Sequence, residues 1–412
     1  MQITVVGAGI VGTACALQLQ REGHQVTLLD QAGIGEGCSF GNAGCLSVAS
    51  VVPMALPGML RQVPKWLADP MGPLTVRWAY LPRALPWLLQ WVRAGNEAQA
   101  RATAPPLAHL FSATFPGYRS LLDPAQYGSL IRQTGHLYVW RTLTRSSGDA
   151  LAQSIRDATG VRSQALSANE ARELEPALAA DIQSALLLPD NGFTVNPERL
   201  VKTLAANFAA AGGTFLRRKV LDVESDDHGP TRLQTDCGTL PVSKLVVTAG
   251  AWSMRLGAKL TGTRIPLDTE RGYHAMLSAP TVQPSRPIMD CERKFIATPM
   301  EGGLRIAGTV EIGGLDAAPD YRRARILARQ GQQLFPGLAF ADDSQWMGFR
   351  PSIPDSLPVI DRSERYRNVF FAFGHGHLGM TGAPGTAKLI ADLVSERTPF
   401  IDARPYGLQR FR

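Results

Sequence analysis

The chain has 412 residues, 45% of them hydrophobic and 19% charged, with a net charge of +7 and a pI near 9.3. A chain of this length outgrows one hydrophobic core, so at least two domains are expected, and the composition excludes a disordered or collagen-like protein. The positive charge is scattered, with Arg217-Arg218 and Arg322-Arg323 as isolated pairs and no basic block, which reads as a solvated basic surface without a nucleic-acid partner.

In chain order, the first element is a short buried strand carrying Ile3, Val5 and Val6. Gly7, Gly9 and Gly12 follow as G-x-G-x-x-G, and the chain turns at once into a helix that opens with Ile10 and Val11. Ile10, Ala14, Ala16 and Leu17 line its inner face, Gly23 ends it, and Val26, Leu28 and Leu29 form a second strand closed by Asp30. Gly7 permits the tight turn, Gly9 lets the backbone approach a pyrophosphate, and Gly12 lets helix and strand pack closely. The helix N-terminus offers free N–H groups to phosphate, and Asp30 is placed to accept hydrogen bonds from ribose hydroxyls. Strand, helix, strand and acid in this order predict a dinucleotide site, for either FAD or NAD.

Residues 35–47, GEGCSFGNAGCLS, are small or amide-bearing and suit close passage of the backbone along a flat ring system. Residues 51–106 stand apart: Met54, Leu60, Trp66, Trp78, Trp87 and Trp91 alternate with Arg61, Lys65, Arg77, Arg83 and Arg93. Prolines 53, 57, 64, 70, 73, 82 and 86 are expected to cut this stretch into short helices. Such a segment suits a membrane interface or a lid packed on the rest of the protein.

Residues 136–140, 272–277, 294–300 and 304–312 alternate like half-buried strands, and 168–178 and 321–335 read as helices. Residues 244–253 form an apolar strand running into Gly250. Residues 368–394 read as a buried strand, a loop with Gly374, His375, Gly376, His377 and Gly379, and a helix beginning near Thr381, just after Met380. The two histidines have no acidic neighbour in sequence to complete a ligand set, so no metal is expected. The five cysteines, Cys15, Cys38, Cys45, Cys237 and Cys291, contain no C-x-x-C pair and suit a reducing compartment. No signal peptide and no bilayer-spanning run is apparent, which predicts a cytoplasmic protein, with the Trp-rich stretch as the place for peripheral contact with the inner membrane.

GAGIVG with Asp30, SFGNAG at 39–44, VNPERL at 195–200, VVTAGAWS at 246–253, GFRPSIPDSLPVI at 348–360 and GHGHLGMT at 374–381 together resemble the D-amino acid oxidase superfamily of flavoproteins, above all bacterial D-amino acid dehydrogenases and their D-hydroxyproline and D-proline dehydrogenase relatives. The resemblance implies an α/β fold: a Rossmann-like FAD-binding domain from 1–50, 193–262 and 336–412, and an α+β substrate domain with a large mixed sheet from 107–192 and 263–335, with 51–106 as the Trp-rich insertion. It places isoalloxazine contacts near Ser39, Asn42, Ala43 and Gly44, the adenine side near Val220, and residues 374–381 at the pyrimidine edge of the flavin. Relatives that attach flavin covalently use Cys or His, whereas the matching C-terminal motif here carries Phe349 and Arg350, so FAD is expected to be non-covalent.

An amino acid substrate carries a carboxylate, and a planar bidentate cation beside the ring is suited to hold it. Arg350 in G-F-R-P is the first candidate; Arg271, Tyr273 and His274 in ERGYHA form a second cluster, with Tyr273 or His274 able to assist deprotonation. The resemblance implies oxidation of a small D-amino or D-imino acid, proline-like or 4-hydroxyproline-like, with electrons passed to a quinone or another membrane acceptor. Alternatives are an oxygen-using oxidase of sarcosine, glycine or D-amino acids, a flavin domain acting on a modified tRNA base, and a non-catalytic flavin-binding protein.

Overall fold

The structure is a computed structural model that describes residues 1–69 and 72–412; Pro70 and the side chains of Leu60 and Arg61 lie outside the described residues. A six-stranded sheet forms the nucleotide side, in the order Thr214–Arg217, Gln25–Asp30, Gln2–Val6, Lys244–Val247, Val369–Phe373 and Val359–Arg362. The first five strands run parallel and the last antiparallel. Val369–Phe373 is buried at every position, as a parallel strand covered on both faces must be. The helices Ile10–Arg21 and Gly379–Val394 pack together over one face, in a core containing Val5, Leu17, Leu28, Phe370 and Ile390. The helix Ser253–Thr261 covers the other face, with a three-stranded meander beside it.

The second layer is a nine-stranded, mainly antiparallel sheet. Its edge runs Asp342–Ser352, Asp268–Ser278, Gly303–Ile312, Phe295–Met300. Strand alternation gives it two faces. The outer face carries Tyr273, Ile306 and Phe295 into a core closed by Leu327 of the helix Arg322–Leu334. The inner face looks onto the loop that follows the second nucleotide strand. The expected division assigns 336–412 to the nucleotide side, yet Asp342–Ser352 pairs along its whole length with Asp268–Ser278 and so lies in the large sheet.

The Trp-rich stretch departs from expectation in two ways. Two of its prolines do not cut it: Pro64 lies inside Met59–Ala68 and Pro86 inside Leu81–Ala94, whereas Pro82 opens the latter helix as expected; the helix Glu97–Ser112 crosses the expected boundary at 106. Pro64 and Pro86 are exposed, so water can take up the carbonyls that lose a helical partner. The stretch also contributes a strand, Leu74–Val76, to the large sheet beside Val310–Ile312.

Candidate active site

Gly7 adopts φ +112°, and a Cβ there would lie 2.4 Å from the Thr248 carbonyl oxygen. A Cβ at Gly12 would lie 1.8 Å from the Gly7 carbonyl oxygen. These two glycines therefore let the loop close against its own helix and against Thr248, whose hydroxyl lies 2.9 Å from the carbonyls of both Val6 and Gly7. Gly9 differs: a Cβ there would meet only the Ser39 hydroxyl, at 3.3 Å. It leaves a cradle next to the N–H groups of Val11 and Gly12, which in the first helical turn have no intrahelical acceptor. A pyrophosphate fits that donor set.

Asp30 closes the loop from the neighbouring strand, its carboxylate accepting from Ala8 N–H at 2.7 Å and Ala32 N–H at 2.9 Å. Burial raises its pKa above the ordinary carboxylate value, and those backbone donors oppose the rise. Lone pairs remain for sugar hydroxyls. Arg218 N–H donates to the Asp30 carbonyl at 2.7 Å, which brings the start of the strand Val220–Asp226 to the same end of the sheet.

Ser39 accepts the Ile10 N–H at 2.9 Å, which ties this loop to the helix N-terminus while its O–H can still donate. Asn42 accepts from Gly44 N–H at 2.8 Å and thereby shapes the turn around Ala43. The Asn42 carbonyl accepts from Arg305 Nη1 at 2.5 Å. Gly250 has open space where a Cβ would stand, at the end of the strand Lys244–Val247.

The C-terminal helix starts at Gly379, two residues before the expected Thr381. The side chains of Met380 and Thr381 are buried in the core, and the Thr381 hydroxyl accepts from Ser47 N–H at 2.9 Å. Any ligand at this end therefore meets backbone N–H groups. Gly374 turns the chain at φ +83° out of its strand. His375 turns inward, its Nε2 2.8 Å from the Thr386 hydroxyl, and burial drives its pKa down to about 3. After Gly376 the chain reverses direction, and His377 points to the large sheet, its Nε2 2.7 Å from Glu270 Oε2.

The large sheet separates the residues of ERGYHA. Glu270, Gly272 and His274 lie on the inner face; Arg271 and Tyr273 lie on the outer face. His274 Nδ1 is 2.9 Å from the Gly41 carbonyl, and its ring stacks on Trp346 at 5.3 Å. Burial and the neighbouring Arg305 bring its pKa down to about 3, so it is a neutral donor that steadies the 37–44 loop. Arg350 lies across from Glu270 in strand register, over Gly272, where a Cβ would come within 2.0 Å of its guanidinium. Burial pulls its pKa down, with Cys38 and Glu270 opposing. It donates to the Thr309 carbonyl at 2.9 Å, and no carboxylate among the described residues lies within ion-pairing distance of it.

That carbonyl is presented by a bulge. Arg271 pairs with Glu311 but Tyr273 pairs with Gly308, so the strand Gly303–Ile312 carries one extra residue. Thr309 sits in it at φ +59°, its buried hydroxyl without a partner. A β-branched residue in this region costs on the order of 1–3 kcal/mol.

Arg271 and Tyr273 are thus not beside His274, because successive side chains of a strand take opposite faces. Arg271 is 0% exposed and paired with Glu311 at 3.4 Å. Tyr273 donates to Glu311 at 2.5 Å, and Arg77 of the Trp-rich stretch reaches the same carboxylate at 2.5 Å. Burial and the Glu311 hydrogen bond push Tyr273 up to about 12. This is a structural charge cluster. Sequence reasoning passed over Glu270, Thr248, Trp346 and Arg305. An arginine within the apolar run 304–312 was the available signal for Arg305, whose Nε is buried without a partner and whose pKa burial lowers to about 10.

The family described as FAD dependent oxidoreductase matches residues 2–393. The chain belongs to that family. The cofactor of this oxidoreductase is accordingly FAD, and the cradle at Gly9 with its free N–H groups fits the FAD pyrophosphate. The oxidoreductase is 37% identical to a D-amino-acid oxidase of Bradyrhizobium diazoefficiens, over 99% of this chain and 98% of the relative. It is 33% identical to a D-amino acid dehydrogenase 2 of Ralstonia nicotianae, with 100% of both chains covered. Among solved structures it is similar in fold to an L-proline dehydrogenase from P. horikoshii, with TM-score 0.75 and 19% identity over 100% of this chain and 97% of that one. A glycine oxidase from Geobacillus kaustophilus gives TM-score 0.73 and 24% identity over 99% and 98%.

Proposed function

We propose that the oxidoreductase oxidises the carbon–nitrogen bond of a small D-amino or D-imino acid, with proline-like and 4-hydroxyproline-like substrates first. The observation that carries this reading is Arg350, a half-buried cation on the inner face with no carboxylate at ion-pairing distance among the described residues. A cation partly withdrawn from water and without a direct ion pair is costly, and a substrate carboxylate held bidentately by the guanidinium completes it. The names of the relatives support the D-amino acid class.

FAD, when bound, supplies the acceptor for the hydride leaving the α-carbon. We assign its pyrophosphate to Gly7, Gly9 and Gly12 with the N–H groups of Ile10, Val11 and Gly12, and its adenosine to Asp30 and the Val220 backbone. The ring side falls to Ser39, Asn42, Ala43, Gly44, Gly250 and residues 374–381, where Gly379, Met380 and Thr381 offer first-turn N–H groups. Cys38 and Cys45 are pushed up to about 11 and about 12 by burial, so both stay protonated and unreactive at neutral pH, which supports non-covalent FAD. His274 and Trp346 present a neutral wall suited to a small uncharged side chain, and Arg350 orients the α-carbon.

Two faces of the Trp-rich stretch bear on the electron acceptor. Trp87 donates to the Ser352 carbonyl at 3.1 Å and Tyr80 to Asp268 at 3.0 Å, which pins the stretch to the large sheet. Outward, Trp78 is 72% exposed, and Leu85, Leu89 and Val92 are exposed along Leu81–Ala94 at spacings that share one face. Arg83 and Arg93 flank them. This supports peripheral membrane contact and a quinone acceptor; among the described residues no helix is long and apolar enough to cross a membrane. Cosedimentation with anionic vesicles, lost on Leu85→Ser with Leu89→Ser, checks the contact. The relative named an oxidase favours oxygen as the second reading.

The deciding experiment gives the flavin-loaded protein a panel of D- and L-amino acids, including cis- and trans-4-hydroxy-D-proline, under nitrogen with a dye acceptor. Bleaching by D-amino acids and not by their enantiomers is expected. A flavin that no member of the panel bleaches would refute the proposal.

A further inference from the structure

An amino acid reaches such a site as an ammonium ion, and hydride departure from the α-carbon needs the nitrogen lone pair free. Arg350 holds the carboxylate, yet nothing assigned so far takes the ammonium proton. Three obvious groups are occupied elsewhere. His274 Nδ1 is bonded to Gly41 and its ring lies under Trp346. His375 is bonded to Thr386 inside the core. Tyr273 is on the outer face, bonded to Glu311.

His377 is placed differently. Its side chain is 30% exposed, Nε2 is fixed at 2.7 Å from Glu270 Oε2, and Nδ1 has no hydrogen-bond partner among the described residues. Glu270 is itself 7% exposed and stands opposite Arg350 in strand register, so clamp, carboxylate and imidazole form one group on the inner face. We propose that His377 accepts the substrate amine's proton at Nδ1, with Glu270 as the positioning residue that fixes its tautomer; this rests on the function proposed above.

An ionised Glu270 accepts only, so Nε2 carries the proton and Nδ1 the lone pair. Burial pushes Glu270 upward, but the His377 hydrogen bond and the charges of His377 and Arg350 outweigh it and leave it below its ordinary value. Burial and Arg350 pull His377 down while Glu270 raises it, with a net lowering, so the ring is neutral at neutral pH. In the step, one N–H bond of the ammonium breaks and one forms at Nδ1. The electron pair stays on the substrate nitrogen. FAD, when bound, would take the α hydrogen together with both C–H electrons as hydride, leaving the substrate oxidised to the iminium. Glu270 stabilises the imidazolium until its proton passes to solvent.

The test uses the flavin-loaded enzyme and its His377→Gln, His377→Asn and Glu270→Gln variants, each checked for bound flavin. In the wild type, kcat/KM falls at acid pH through a step below pH 6.5, the ordinary imidazole value. The His377 variants are expected to lose about 100-fold or more at pH 7, to lose that step, and to regain rate with added imidazole. Nitrogen NMR of labelled histidine in the wild type gives a readout that needs no turnover: the His377 ring, assigned by its loss in His377→Gln, protonated at Nε2 and bare at Nδ1, with its Nε2 proton shift moved by Glu270→Gln. A wild type that oxidises amino acids while His377→Gln keeps its rate and pH step overturns this proposal alone. A wild type that oxidises none overturns it together with the function. An NMR spectrum with the His377 proton on Nδ1 overturns it whatever the variants do.

Discussion

The glycine loop and the inner face of the large sheet hold their polar groups by opposite means. In the loop, function resides in the backbone: Gly9 leaves space, the helix offers N–H groups, and side chains such as Ser39 and Asp30 are largely spent on holding the loop itself. On the sheet, function resides in side chains, and strand alternation decides which of them take part. A backbone site tolerates no added atoms, whereas a sheet site tolerates many changes on one face and few on the other.

The largest effect is expected in the loop. Gly12→Val places atoms onto the Gly7 carbonyl and the Thr248 hydroxyl, and the purified protein should carry no flavin absorbance. Retained yellow colour would break the account of the cradle. On the sheet, neighbouring arginines should separate cleanly. Arg350→Ala should lower kcat/KM by about a thousandfold with the unfolding midpoint little changed. Arg271→Met should do the reverse, costing about 1–3 kcal/mol because Glu311 loses one buried partner while Arg77 and Tyr273 remain, with KM within a few-fold of wild type. Urea unfolding and steady-state kinetics on the two variants check this, and a KM effect from Arg271→Met would dissolve the distinction between faces.

The smallest expected effect concerns pH. His136, its Nε2 2.7 Å from the Gly192 carbonyl, is lowered by burial to about 4, and His375 to about 3. Both stay neutral in the folded state where the unfolded chain protonates near pH 6.5. Their stabilising share is therefore complete above about pH 6.5 and is lost as pH falls toward 4, by about 2 kcal/mol for each histidine at pH 5. Thermal unfolding between pH 7 and 5 should show the slope, and His136→Asn should reduce it.

The nucleotide site was legible because its chemistry is local. Strand, glycines, helix and Asp30 fall within thirty residues, and each has a role set by backbone geometry. The sheet face was legible only in part. Arg350 stood out in G-F-R-P, but ERGYHA read as one cluster conceals a period of two, which sends Arg271 and Tyr273 away from His274. The pairing of Glu270 with His377 spans 107 residues, and no local pattern signals it. Pro64 and Pro86 misled for the opposite reason: a local rule was read strictly where water can satisfy the freed carbonyls.

The bulge at Thr309 works as a parity device. Continued without the extra residue, the pairing of His274 with Ala307 and Tyr273 with Gly308 would bring Glu311 opposite Glu270 and onto the face of Arg350. Glu270 already stands on that face, so a second carboxylate would leave it net negative and repel an anionic ligand. Whether this surface can take an anion turns on counting one strand as odd or even. A single-residue deletion between Gly308 and Glu311 would exchange one state for the other without changing Arg350, Glu270 or His377.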